Sequence, residues 1–335
     1  MPKPKVIFDP TFRPIAQLLS PGDKARLYAF ADVVWGRNDE MPAGEVAKVA
    51  GEVEGIICGW WRYGAAGAFP KLKVIAEVGG TLPNPRDLDY AACFACGTKV
   101  LSCAPGFGPA VAEMALALTL CCSRGVAGTD RRFREGAERW EFAETADSFL
   151  LYGATVGFIG FGGLARNLKP LLEPFGVKLL VHDPWLTPDA VRKGGGEPVG
   201  LEELLGRSKV VYVLAVPSPE NKGLLNRERL MLISPGSVLI LISRSHLVDF
   251  DALTDLVGQR RFRAAIDVFP EEPLPKDHPI RKVEGAVLSS HKAGAMFEAM
   301  RMIGRWTVED VESVLGGGEP KHMQVATPAF VAHFR

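Results

Sequence analysis

Residues 153–185, GATVGFIGFGGLARNLKPLLEPFGVKLLVHDPW, constrain the fold of this chain more than any other stretch. An apolar run of strand length, TVGFI, enters the turn Gly160-Phe161-Gly162-Gly163. An amphipathic segment follows, and a second apolar run, KLLVH, ends at Asp183. Strand, glycine turn, helix, strand and acid in that order mark a parallel βαβ unit whose turn approaches a dinucleotide pyrophosphate. Gly160 is expected to make the tight turn, Gly162 to let the backbone come close to the phosphates, and Ala165 to permit close helix packing. The N–H groups of Gly163 and Leu164, at the start of the helix, are expected to hold the pyrophosphate. Asp183, followed by Pro184, is placed to accept hydrogen bonds from the adenosine ribose and to repel a 2′-phosphate, which favours NAD over NADP. The structural alternative for Asp183 is an ordinary turn residue.

The same alternation continues downstream in KVVYVLAV, SVLILIS, FRAAID and GAVLSSH. Runs apolar throughout are strands covered on both faces, as in a parallel sheet flanked by helices. A weaker version occupies the first hundred residues, in KVIFD, ADVVWG, EGIICGW, KLKVIAEVG and TKVLSC. The predicted fold is therefore α/β with two parallel-sheet domains, Rossmann-like and flavodoxin-like, and an active-site cleft between them. The stretch PAVAEMALALTLCCSRG is apolar nearly all the way round if helical, so it must be buried in the fold or against a second subunit. Residues 293–315 carry apolar side chains at helical spacing and can return the chain to the first unit. The expected domains are 1–104 with 293–335, discontinuous, and 105–292.

Composition narrows the class of partner. Lys plus Arg and Asp plus Glu both total 39, a formal net charge of +0, so no global field attracts nucleic acid or an anionic membrane. The N-terminus does not read as a secretory signal, and no run of about 18 apolar residues suggests a membrane span. Six cysteines, two of them adjacent (Cys121 and Cys122), suit reduced thiols in a cytoplasm. Cys93 and Cys96 match a C-x-x-C spacing but lack the further ligands of a zinc site; small apolar residues on a helix ending at Gly97 are the plainer reading, and no metal is expected.

Three more segments each place polar residues just after an apolar strand, a ligand-facing position in an open parallel sheet. The first has Arg244 followed by Leu247-Val248-Asp249. The second is Asp267-Val268-Phe269-Pro270-Glu271-Glu272-Pro273-Leu274, and the third His291-Lys292-Ala293-Gly294. With the glycine turn, this set resembles the D-2-hydroxyacid dehydrogenases over residues 73–304. The resemblance implies a catalytic set of Arg244, Glu272 and His291. His291 carries the proton, since imidazole titrates near neutral pH. Glu272 fixes the tautomer of that ring, and Arg244 grips the substrate carboxylate with a planar, permanently charged fork. It also implies that Asp267 bonds the nicotinamide carboxamide and that Ala215, Pro217, Asn221, Ile242, Ser243, Arg244, His291 and Gly294 line the cofactor. Alone, each catalytic residue has a structural alternative: a surface ion pair for Arg244, a solvated loop charge for Glu272, a helix cap for His291.

The sequence also departs from the family pattern. Ser243 and Ser245 flank Arg244, where a small residue and glycine are usual, and His246 follows as a loop histidine or a competing proton carrier. The carboxylate-binding loop corresponds to Val78-Gly79-Gly80-Thr81-Leu82, with the amides of Gly79 and Gly80 as candidate substrate donors. In CGWWRYG, Arg62 is a candidate for a substrate phosphate or second carboxylate, and Trp60 and Trp61 for narrowing the pocket; the alternative is two packed tryptophans with Arg62 on the surface. The implied function is hydride transfer between NAD(H) and a small D-2-hydroxy or 2-keto acid, with 3-phosphoglycerate, hydroxypyruvate and glyoxylate favoured. A phosphite dehydrogenase-like enzyme and a non-catalytic NAD-binding corepressor-like protein are the alternatives, and Glu272 argues against formate, whose dehydrogenases usually have Gln there. A homodimer through the apolar helix is expected, and no regulatory extension after the returning helix.

Overall fold

The computed structural model describes residues 2–333. The chain forms two compact units: one runs up to Phe107 and resumes at Ala295, and the other is Gly108–Gly294. Both junctions lie a few residues later than the sequence suggests.

In the first unit the strands β1 (Lys5–Asp9), β2 (Asp32–Gly36), β3 (Val53–Cys58), β4 (Val74–Glu77) and β5 (Lys99–Ser102) pair in parallel. The second unit carries β6 (Thr155–Ile159), β7 (Lys178–His182), β8 (Glu197–Pro198), β9 (Val210–Val213), β10 (Val238–Leu241), β11 (Arg263–Ile266) and β12 (Ala286–Leu288), all parallel. A short last strand, β13 (Gln324–Val325), adds to the first sheet antiparallel to β5. The orders are β13-β5-β4-β3-β1-β2 and β12-β11-β10-β9-β6-β7-β8. Each reverses direction once, between β1 and β3 and between β6 and β9, and such switch points open a crevice at the carboxyl ends of the strands.

Why these runs pair is plain from their burial. Val210–Val213 and Val238–Leu241 are buried at every position, as strands covered on both faces require. The two-residue strands β8 and β13 have no such run, and their pairing depends on neighbours distant in sequence. The returning helix Phe297–Leu315 buries Met300, Ile303, Val308, Val311 and Val314 against the first sheet. Gly304 is required there, because a Cβ would collide with the carbonyl of Leu18.

The apolar helix Gly108–Arg124 packs on the helix Gly163–Leu172 and on β10, β11 and β12. Its buried positions, among them Ala112, Ala115, Thr119 and Cys122, recur at three- and four-residue spacing, so one face is enclosed rather than the whole circumference. Thr119 Oγ1 lies 2.5 Å from the buried Tyr212 hydroxyl. The stretch Ala104–Arg124 is, by length and composition, apolar enough to cross a membrane, contrary to the sequence expectation; half of it is buried inside the protein, as for a core helix. The six cysteines are free; Cys93 is buried and Cys96 exposed at the end of the helix Tyr90–Ala95.

Candidate active site

The glycine turn lies at the switch point of the second sheet, immediately after β6. Gly160 has φ +94, and a Cβ on it would stand 2.6 Å from Cα of Ala215, which follows β9. Both facts demand glycine. Gly162 and Gly163 differ: they are exposed, and a Cβ on either meets nothing within 4 Å. This is an open cradle at the start of the ten-residue helix Gly163–Leu172, of the kind that receives a pyrophosphate. Ala165 is fully buried, where a larger side chain would push the helix off the sheet. Asp183, directly after β7, accepts from the amides of Phe161 (2.7 Å) and Trp185 (2.9 Å). Its carboxylate thus braces the glycine turn, the role that was the structural alternative.

Downstream, β9 and β10 deliver the other expected cofactor-lining residues. Asn221 closes a capping box, its Oδ1 accepting from Ser218 N at 2.8 Å and its Nδ2 donating to Val216 O at 2.8 Å, which shapes the loop holding Pro217. Ile242 and Ser243 are buried just beyond β10, and Ser243 Oγ has no partner. Arg244 is exposed and donates from Nη1 to Ser243 O at 2.7 Å. In the LVD segment after it, Leu247 is fully buried and Asp249 caps the helix Phe250–Gly258 by accepting from Ala252 N at 3.0 Å. His246 Nε2 lies 2.9 Å from Ser218 O, which ties this loop to that of Asn221. That position is structural.

The acid-and-imidazole pair forms at the carboxyl ends of β11 and β12. His291 Nδ1 lies 2.5 Å from Glu272 Oε2, and Glu272 Oε1 accepts from Phe269 N at 2.9 Å. Burial pushes the Glu272 carboxyl up, but the bond to His291, the Phe269 amide and the charges of His291 and Arg244 outweigh it and leave the group below its ordinary value. His291 itself has φ +51, a left-handed conformation uncommon outside glycine. What holds it there is Asp267, fully buried, whose two oxygens accept from Lys292 N and Ala293 N, each at 3.2 Å. Asp267 thus has a positioning role that the sequence did not suggest.

In the first unit the geometry departs from expectation. Gly79 and Gly80, the candidate substrate donors, point their amides inward: Gly79 N donates to Glu77 Oε1 at 3.0 Å and Gly80 N to Oε2 at 3.2 Å. Arg62 is likewise committed. It forms an ion pair with the fully buried Asp9 and donates to Thr11 Oγ1 at 2.7 Å, while Asp9 also accepts from the Tyr63 hydroxyl and Met41 N. Arg62 thus fits neither a free anion-binding fork nor a solvated surface charge. Trp61 is buried, as in the packed alternative, whereas Trp60 is exposed and stacked on Phe12. Asp9 and Glu77 were not legible as site residues in the sequence, where the available signal was an acid at the end of each of two apolar strands.

The family model for the NAD-binding domain of D-isomer specific 2-hydroxyacid dehydrogenases matches residues 116–293. The chain belongs to this family. It is 32% identical over 252 residues to the D-3-phosphoglycerate dehydrogenase of Mycobacterium tuberculosis, a match that covers 75% of this chain and 46% of that protein. This chain spans about half the length of the first such relatives. It is 32% identical over 250 residues to the (S)-sulfolactate dehydrogenase of Chromohalobacter salexigens, covering 74% of this chain and 79% of the relative. A phosphoglycerate oxidoreductase from Rhizobium etli has a similar crystal structure, with TM-score 0.86, 33% identity, and 97% and 99% of the two chains covered. Gly160, Asp183, Arg244, Asp267 and Glu272 all fall inside the segment by which the dehydrogenase family is recognised, as does His291.

Proposed function

We propose that this family member reduces a small 2-keto acid to the D-2-hydroxy acid with NADH and catalyses the reverse oxidation with NAD. The observation that carries the reading is the bond between His291 Nδ1 and Glu272 Oε2. With Nδ1 held by a carboxylate, Nε2 is the ring atom left to give a proton to the C2 oxygen or take it back. NAD(H), when bound, would supply or accept the hydride at C2. Arg244, after β10, holds the substrate carboxylate through its guanidinium. Asp267 keeps the His291 turn in place through two amides.

Among substrates, the ion pair of Arg62 with Asp9 favours a small uncharged tail, as in glyoxylate or hydroxypyruvate, over a phosphate. The relatives named above act on phosphoglycerate and sulfolactate, so the comparison is a direct one. A substrate panel tests it: kcat/KM for hydroxypyruvate or glyoxylate should exceed that for 3-phosphohydroxypyruvate, and the reverse order would reject this choice.

A homodimer belongs to the same reading. Beyond the helix Gly108–Arg124 the second unit exposes Val126, Phe133, Trp140, Phe142, Leu150 and Tyr152, apolar side chains that a second copy would cover. A monomeric mass by sedimentation at micromolar concentration would count against it.

A further inference from the structure

The loop after β4 is an anion nest that already holds an anion-forming group. Gly79 N donates to Glu77 Oε1 at 3.0 Å, and Gly80 N and Thr81 N donate to Oε2 at 3.2 and 3.1 Å. Three successive amides converging on one carboxyl group make a site for negative charge. Its walls are fitted to the occupant. A Cβ on Gly79 would collide with Glu77 Oε1 and the carbonyl of Gly59, and Gly80 adopts φ +117 with Phe107 3.1 Å from where its Cβ would stand. Glu77 is only 3% exposed. Beside the loop, the Arg13 guanidinium donates from Nη2 to Gly79 O at 3.3 Å and lies over the rings of Phe12 and Phe107, with its buried Nε unpartnered. The nest therefore offers amide donors and a cation, and an internal carboxyl fills it.

We propose that Glu77 determines which carboxylates this loop accepts: its side chain occupies the nest of Gly79, Gly80 and Thr81, and a ligand carboxylate enters only by displacing it. The occupancy stands on the geometry of the first unit alone; that the ligand is a 2-keto acid rests on the function proposed above. Displacement requires the Glu77 carboxyl to leave three donors, so a ligand's net gain is its own three bonds less those lost. Removing the occupant leaves the amides and Arg13 open to an anion. Protonation weakens the occupant in the same direction. Burial pushes Glu77 up to about 8, against the opposing Thr81, Gly80 and Gly79 amides and Arg13. The other titratable groups facing it are Cys58, at the end of β3, Cys103, after β5, and Tyr90; all three are held above their ordinary values by burial first. None of the three changes charge below pH 8.

The test is binding of oxamate, a 2-keto acid isostere, and of acetate, to the NADH-loaded protein, followed by NADH fluorescence between pH 6 and pH 9 in wild type, Glu77→Ala and Glu77→Gln. Glu77→Ala is expected to bind both anions at least ~10-fold tighter at pH 9, about the factor that one hydrogen bond to a charged group supplies. Wild-type affinity should rise as pH falls through about 8, relative to a flatter Glu77→Ala and Glu77→Gln. A folded Glu77→Ala that binds neither anion more tightly would overturn the proposal and leave Glu77 as a brace for the loop. If Glu77→Ala does not fold, Glu77→Gln decides: an unchanged pH dependence overturns the proposal. Binding needs no turnover. Tighter acetate binding in a protein that reduces no 2-keto acid would keep this inference and reject the proposed function, and the converse result would do the opposite.

Discussion

His291 Nδ1 lies 2.5 Å from Oε2 of Glu272, and the remaining oxygen of that carboxylate is anchored by the Phe269 amide at 2.9 Å. The carboxylate is thereby fixed from one side by backbone and fixes the imidazole on the other. One ring nitrogen is assigned to structure, and the second becomes available for chemistry.

Glu272→Gln should lower kcat by about 10²-fold, the scale of a lost general acid–base arrangement, with NADH affinity retained. Because the Glu272 carboxyl lies below its ordinary value in the folded protein, the bond's contribution is complete above the ordinary carboxylate range. It is lost as pH falls through the lowered value. The reduction, which uses the protonated imidazole, should lose activity on the acid side only as Glu272 is protonated, and a pH–rate profile of the reduction in wild type beside Glu272→Gln checks it.

Gly160 and Gly162 should respond in opposite ways to the same substitution. Gly160→Ala meets Ala215 and a positive φ, so it should unfold at lower temperature. Gly162→Ala faces open space, so melting should be nearly unchanged while the added methyl blocks the pyrophosphate and weakens NADH binding ~10-fold or more. Melting curves with and without NADH separate the two.

Arg62→Ala leaves Asp9 buried with no cation and should destabilise the protein by about 3–5 kcal/mol, measured by urea unfolding. KM for phosphorylated and unphosphorylated 2-keto acids should then change alike. A rise confined to the phosphorylated substrate would return Arg62 to the substrate.

Glu77 carries a stability signature as well. Its folded value, about 8, is raised above the ordinary 4.5. The folded state therefore binds the proton more tightly than the unfolded chain. The stability this supplies is complete below 4.5 and lost as pH rises through about 8. Glu77→Gln should flatten the dependence of melting temperature on pH between 6 and 9.

Where local sequence dictates geometry, the fold and site could be read in advance. The strand runs, the glycine turn and the acid after β7 are short-range patterns, and Arg244, Asp267, Glu272 and His291 each follow a strand that ends at the ligand-facing edge of its sheet. Contacts between residues far apart in sequence could not be read. Arg62 meets Asp9 because β1 and β3 are neighbours, a pairing that nothing in CGWWRYG encodes. Glu77 was hidden for a different reason: a glycine pair signals available amides, but not whether they face a ligand or fold back on the residue two positions earlier. The enclosed face of Gly108–Arg124 was likewise set by its neighbours, since its sequence is apolar on the outer face too.

The most direct test of the central claim is NADH oxidation followed by absorbance with glyoxylate, hydroxypyruvate, pyruvate and 3-phosphohydroxypyruvate, in wild type and His291→Ala. Rapid turnover of glyoxylate or hydroxypyruvate is expected, reduced by about 10²–10⁴-fold in His291→Ala while NADH still binds. No turnover of any of the four by an NADH-bound wild type, or full activity in His291→Ala, would contradict it.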